Sequence, residues 1–150
     1  MPPKRNIDDN DRFVLSSYIK LVRATESVIA RSHRHLSKAN LSFSQFAVLE
    51  ALYHLGPLPQ KDLAAKILKS PRNITMVVDN LEKRNLVRRE RSSGDRRVWN
   101  VHLTAEGRQL FEDVFPSHIK ALNREMGVLS EAELKELGRL CRILGKRERG

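Results

Sequence analysis

A mainly α-helical fold with one small β-hairpin follows from three observations on the sequence. The stretch from Leu58 to Leu103 divides into LPQKDLAAKILKS, PRNITMVVDNLEKRN and LVRRERSSGDRRVWNVHL. The first two pieces carry apolar residues at three- and four-residue spacing, and the third alternates at period two around a turn-forming tip. On both sides the chain carries long apolar stripes at helical spacing. Helix, turn, helix and basic hairpin, in that order, describe a winged helix-turn-helix, flanked here by long N- and C-terminal helices.

Composition narrows the class. The 150 residues fit one domain or one compact module with helical extensions. Lys and Arg number 28 against 18 Asp and Glu, a net charge of +10. Such an excess favours polyanion partners without naming one, since membrane-surface and ribosomal proteins share it. Its location says more: between Lys66 and Arg108 eleven basic residues face five acidic ones, so +6 lies around the proposed motif. The one cysteine, Cys141, excludes an internal disulfide framework and a cysteine-based metal site. No apolar run reaches membrane-span length, and MPPKRNIDDNDR lacks the hydrophobic stretch of a secretion signal. A cytoplasmic protein without a membrane partner is expected.

The first helix is expected from Asp11, as its cap, to about Leu36. Val14, Tyr18, Leu21, Thr25, Val28 and Leu36 mark its stripe, widened by Leu15, Val22 and Ile29. A helix that long needs a partner along most of its face, either a C-terminal helix or a second subunit. The next start is better marked. Ser42 and Gln45 form a capping box, and Leu41 with Phe46 makes a hydrophobic staple. Phe46, Leu49, Leu52 and Tyr53 then bury the helix until Gly56-Pro57 ends it. From Gln60 to Leu68 a short helix packs through Leu63, Ala64 and Ile67, with Ala64 allowing a close crossing.

Ser70-Pro71 opens the second helix of the pair, with proline at the first helical position. Ile74, Val77, Val78 and Leu81 face inward. Arg72, Asn73, Thr75, Met76 and Asp79 then remain toward solvent. Such a face can read bases: arginine pairs with guanine, asparagine with adenine, and Thr or Met methyls meet the thymine methyl. Ser70 and the amides beside it suit a phosphate. In the hairpin, Trp99, Val101 and Leu103 share one face, with Val87 supporting the core and Arg89 and Arg91 extending outward. Asp95 can accept hydrogen bonds from Arg97 and stiffen the SSGDRR tip, leaving Arg96 or Arg97 to reach a minor groove or flanking phosphate. A solvated face and a surface hairpin of unspecific charge are the alternatives.

Two more helices follow. Thr104 caps one presenting Leu110, Phe111, Val114, Ile119, Leu122 and Met126, with Pro116 expected to bend or split it and Gly127 to end it. Ser130 with Glu133 makes a second capping box, stapled by Leu129 and Leu134. Leu134, Leu137, Leu140, Cys141 and Leu144 form the last stripe, where Cys141 reads as a small buried hydrophobe. The stripes at the two ends pair either within one chain or across a dimer.

The run from Leu63 through NITMVVDNLEKRNLVRR to GDRRVWNVHLTAEG resembles the signature of the multiple antibiotic resistance regulator (MarR) family of bacterial transcription regulators. The likeness spans nearly the whole chain, including LSFSQFAVLEALY and LSEAE. It implies a homodimer that places the helix after Ser70-Pro71 in the major groove and the Asp95-Arg96-Arg97 wing in or beside the minor groove. It also implies dimerisation through residues 1–40 and 104–150, around a DNA-binding lobe at 41–103. The DNA contacts so implied are Ser70, Arg72, Asn73, Thr75, Met76, Arg91, Asp95, Arg96 and Arg97. Two segments, FPSH and LYHLGPLP, are similar to members that respond to quinones and catechols. A phenolic or quinone effector would then bind between the dimer helices and the DNA-binding lobe, near His33, Phe43, Phe46 and His118. Some relatives sense oxidants through a cysteine near the start of the first helix, and this chain has none there.

No nucleophile, base and orienting acid form a catalytic motif, and no glycine-rich phosphate loop or cofactor motif is present. The five histidines are scattered and suit structural or exposed roles better than a metal site. The functional alternatives are therefore non-enzymatic: an architectural protein that coats DNA without an operator, or a winged-helix subunit that binds protein.

Overall fold

The structure, a computed structural model, describes residues 7–67 and 71–146. Among these residues seven helices and three strands follow one another: α1 (Asp9–Ser32), α2 (Arg34–Lys38), α3 (Phe43–Leu55), β1 (Leu58–Pro59), α4 (Gln60–Lys66), α5 (Pro71–Lys83), β2 (Val87–Arg91), β3 (Trp99–Leu103), α6 (Ala105–Met126) and α7 (Glu131–Gly145). The strands form an antiparallel sheet in the order β1-β3-β2. This is the expected mainly helical fold with a winged helix-turn-helix, and the chain separates into two compact units. One comprises residues 33–124, the other residues 1–32 with 125–150.

Residues 33–124 form a lobe around an apolar core to which every element contributes. Leu49, Leu52, Leu63, Ile74, Val78 and Val101 are almost wholly out of water. Each such aliphatic side chain contributes roughly 1.5–3 kcal/mol of burial free energy. The capping box expected at Ser42 and Gln45 is complete. Ser42 Oγ accepts from the Gln45 amide at 3.1 Å, and Gln45 Oε1 accepts from the Ser42 amide at 2.9 Å.

Two asparagines end helices in this lobe. Asn40 and Asn85 both sit in the left-handed region, at φ 54° and 58°. Beyond them, Leu41 N–H bonds to Leu36 O and Leu86 N–H to Leu81 O, a six-residue closure that satisfies carbonyls left open at the helix ends. In each case the residue after the turn is a buried leucine facing a buried leucine one turn back. Arg84, from the end of α5, donates to the Ala39 and Asn40 carbonyls and ties the two closures together.

The junction into α6 is tighter still. Thr104 donates through its amide to Leu86 O and through its hydroxyl to Asn85 O, while its Oγ accepts from the Gly107 amide at 3.0 Å. A Cβ at position 107 would collide with the Leu86 carbonyl. The glycine of the LTAEG run is thus required by close approach of two backbones. α6 continues through Pro116 without the expected split. Pro116 lies on the exposed face, so the hydrogen bond it forfeits is on the water side of the helix.

Other expectations need correcting. The first helix does not run to Leu36: it ends at Ser32, the chain turns at His33, and α2 carries Leu36 into the core of the lobe. Ser32 Oγ donates back to Val28 O at 2.7 Å, an interaction that loosens a helix end. Its cap is also displaced, since Asp8 Oδ1 accepts from the Asp11 amide at 2.8 Å and Asp11 lies inside the first turn. β1 was not expected. Its Leu58 pairs with Val101 and its Pro59 with Asn100, on a sheet edge where proline's missing donor does no harm. The expected end of α4 at Leu68 lies outside the described residues.

In the other unit, Arg31 pairs with Glu125, and Ser130 with Glu133 forms the second complete capping box. Phe13, Val14, Leu15, Tyr18 and Leu21 on α1 are exposed, as are Leu140, Ile143 and Leu144 on α7. Cys141 is exposed too, contrary to the buried position expected from its stripe, because α7 buries no residue within the chain.

Substituting Gly107→Ala is expected to destabilise the lobe by about 2–3 kcal/mol, since overpacking against backbone leaves no side chain to yield. Urea denaturation followed by circular dichroism measures it, and an unchanged midpoint would mean that the Leu86 carbonyl can move aside.

Candidate nucleic-acid interface

The interface begins with α5, whose two faces are set by its sequence. Ile74, Val78 and Leu81 are buried, Val77 half-buried, and Arg72, Asn73, Thr75 and Met76 exposed. An exposed methionine on a helix that buries Ile74, Val78 and Leu81 is a surface prepared for contact. Ser70, expected at the start of this helix, lies outside the described residues. Asp79 is not a free solvent-facing carboxylate, because its Oδ1 lies 2.6 Å from Arg89 Nη1.

Arg89 is the main departure from the sequence reading, which sent it outward. In the antiparallel register Arg89 sits opposite Val101, and directly opposed residues share a face. Val101 is fully buried, so Arg89 points inward as well, and its side chain is only 14 % exposed. A guanidinium so far from water must fill its donors. Nε donates to Gln60 Oε1 at 3.0 Å, Nη2 to the Thr75 carbonyl at 3.3 Å, and Nη1 meets Asp79 and Glu82. The Arg89 amide also donates to Glu82 Oε2 at 3.0 Å. One side chain on the wing therefore ties α4 and α5 to the sheet.

Gln60 extends that set. Arginine cannot accept, so the Gln60 oxygen must face Arg89 and its amide nitrogen must face Thr75. Gln60 Nε2 donates to Thr75 Oγ1 at 3.0 Å. Alternation along β2 from the apolar Val87 was the signal for the buried arginine, but nothing local announces Gln60.

The wing tip matches its expectation. Asp95 Oδ1 accepts from the Arg97 amide at 2.9 Å and from Arg97 Nε at 3.3 Å, and Ser92 Oγ accepts from Gly94 N–H. Arg96 and Arg97 are exposed, the Arg97 side chain 92 % so. Arg91 is exposed and lies across the Trp99 ring, 4.7 Å from its centroid, which orients the guanidinium. On the other face of the sheet Glu90 bridges Arg88 and His102. Arg91 on the hairpin and Arg97 at its tip are thus each braced rather than loose.

Of the residues expected near an effector, Phe46 and His118 come together with ring centroids 4.4 Å apart. His33 does not join them. The partner of His118 is His35, with Nε2 2.9 Å from His118 Nδ1. Phe43 is exposed, while Phe46 stacks on Phe111 in the core. No group of three metal-ligating side chains occurs among the described residues, and no helix among them is long and apolar enough to cross a membrane.

Burial holds the pKa of both His35 and His118 below 6.5, and for His35 the neighbouring His118, His33 and Arg124 add to the effect. A hydrogen bond between two imidazoles also requires one neutral nitrogen as acceptor. Full stability is therefore present above about pH 6.5, where both states are neutral, and is lost as pH falls through the lower folded pKa values. The urea midpoint should fall between pH 7 and 5, and less steeply in His35→Gln/His118→Gln. Equal slopes in both proteins would remove the pair from this role.

Known proteins bear on this arrangement. A profile of the MarR family matches residues 41–99. The HTH-type transcriptional regulator MhqR of Bacillus subtilis (strain 168) is 37% identical over 131 residues, covering 87% of this chain and 90% of MhqR. Among solved structures, the MarR family transcriptional regulator Sco3205 of Streptomyces coelicolor, in complex with DNA, superposes with a TM-score of 0.82. Its identity is 25%, over 97% of this chain and 92% of that one. Bordetella bronchiseptica BpsR, whose DNA binding is regulated by 6-hydroxynicotinic acid, superposes with a TM-score of 0.80. It is 26% identical, over 87% of this chain and 99% of that one. With an exposed helix face, a braced basic wing and these relatives, the chain belongs to the MarR family of sequence-specific DNA-binding transcription regulators, and is not an enzyme.

Proposed function

We propose that this protein is a homodimeric, ligand-responsive repressor that binds a palindromic operator. The observation carrying this reading is the exposed polar face of α5 beside a wing whose arginines are braced. In the bound state Arg72, Asn73, Thr75 and Met76 read base edges in the major groove. Ser70 contacts a phosphate at the start of α5. Arg91, Arg96 and Arg97 reach the backbone or minor groove, with Asp95 holding the tip in shape. Residues 41–103 act as the DNA-binding lobe.

Dimerisation falls to residues 1–40 and 104–150. The exposed apolar residues of α1 and α7 support this, since a lone soluble chain rarely leaves that much aliphatic and aromatic surface in water. Two copies related by a two-fold axis present two recognition helices to the two half-sites of a palindrome. The effector is a small hydroxylated aromatic or quinone, bound near His118 and Phe46, with His33 and Phe43 nearby in sequence. The regulation of BpsR by 6-hydroxynicotinic acid supports a ligand of that class. Such a ligand releases DNA only by binding one state of the dimer more tightly than the other.

The test is binding of the purified protein to its own upstream intergenic DNA against a shuffled duplex, repeated with a panel of phenols and quinones. Specific binding as a dimer, relieved by one compound, is the expected result. Equal affinity for both duplexes would favour an architectural protein instead. Arg97→Ala should weaken operator binding and reduce its salt slope by about one, the share of a single phosphate contact. An unchanged slope would withdraw Arg97 from the backbone. Asn73→Ala should narrow the operator-to-random ratio by roughly 10-fold or more, as one lost base contact does. A constant ratio would take Asn73 out of the reading set.

A further inference from the structure

We propose that Arg89 and Gln60 are positioning residues for sequence recognition, fixing the rotation of α5 about its own axis relative to the wing. This rests on the base-reading role of α5 and goes beyond it, because neither residue belongs to the reading set. The argument starts from spacing. Thr75, Asp79 and Glu82 are separated by four and three residues, so they lie along one side of α5 over two turns. All three meet the Arg89 side chain, Thr75 through its carbonyl and the others through their carboxylates.

A single contact on a helix leaves it free to roll, whereas a strip two turns long does not. Gln60 adds a second anchor at the N-terminal end of that strip, accepting from Arg89 and donating to Thr75 Oγ1. Of the base-reading candidates, Met76 lies within that strip's span and Arg72 and Asn73 in the turn just before it on the same rigid helix. Side-chain tips lie about 5 Å from a helix axis, so a roll of roughly 20° displaces them by roughly 2 Å. A bidentate base contact does not survive such a displacement.

The charges support a positioning role over direct phosphate contact. Arg89 is opposed by two carboxylates and largely removed from water, unlike Arg96 and Arg97 at the tip. Its planar fork matters as much as its charge. Three separate nitrogens serve four different partners, which a lysine ammonium cannot reproduce. Losing the clamp should therefore blur sequence choice while leaving non-specific attraction to the phosphates in place.

The test uses the full chain and a duplex that the wild-type protein selects from a random pool. Dissociation constants for this duplex and for the unselected pool are measured across a salt series, with thermal melts to check folding. For Arg89→Lys and Gln60→Ala the expected result is at least a tenfold fall in the selected-to-random ratio. Affinity for the random pool should stay within twofold, and its salt slope should not change. Gln60→Ala decides the matter if an Arg89 variant fails to fold. A ratio within twofold of wild type in Gln60→Ala would overturn the proposal. So would a normal ratio in Arg89→Lys with a reduced salt slope in Arg89→Ala, the pattern of a direct phosphate contact. If the wild-type chain selects no duplex from the pool, the base-reading role of α5 fails first, before any variant is made.

Discussion

A guanidinium withdrawn from water must find partners for its donors, and in this lobe that constraint decides how the DNA-facing elements meet. Arg89 draws Gln60 from α4, a carbonyl and two carboxylates from α5, and holds them against β2. Burial of the apolar face of α5 supplies free energy in proportion to area and is indifferent to direction. Hydrogen bonds are not indifferent. Ile74, Val78 and Leu81 bring α5 to the core, and the Arg89 set selects the angle at which it rests there.

The same division of labour recurs at the lobe's other junctions. Buried leucines on both sides of Asn40 and Asn85 supply the adhesion, while the left-handed turns supply the direction of the chain. Thr104 then fastens the end of α5 to the start of α6 through both of its hydrogen-bonding groups, and Gly107 permits the approach by having no side chain. A DNA-reading surface needs this rigidity. Base edges are distinguished by the placement of donors and acceptors, so a helix that wanders by an ångström or two reads nothing.

Charge is distributed in keeping with those roles. Arg96 and Arg97 at the wing tip are exposed, and Arg97 is braced by Asp95, where a polyanion can displace water from them. Arg88, Arg89 and Glu90 a few residues away are spent on one another and on their neighbours. Net charge alone would not separate these two sets. The unit formed by the chain ends has the opposite character, with exposed aliphatic and aromatic side chains along α1 and α7 that the chain itself does not cover.

Whatever depends on neighbours within about one helical turn is legible in the order of the residues. Ser42 with Gln45 and Ser130 with Glu133 mark helix starts because the capping partners are three residues apart. The alternation of Trp99, Val101 and Leu103 places β3, and Asp95 can be paired with Arg97 across a two-residue gap. The inward and outward faces of α5 follow from its period. Only the tertiary structure decided which distant groups meet. Gln60 and Thr75 are fifteen residues apart, Gln60 and Arg89 twenty-nine, and His35 and His118 eighty-three. Leu36 is buried in the core of the lobe, and it is His35, beside it in sequence, that reaches His118. Local periodicity extends a helix as long as its stripe continues, whereas the chain breaks where packing elsewhere is worth more than one further turn.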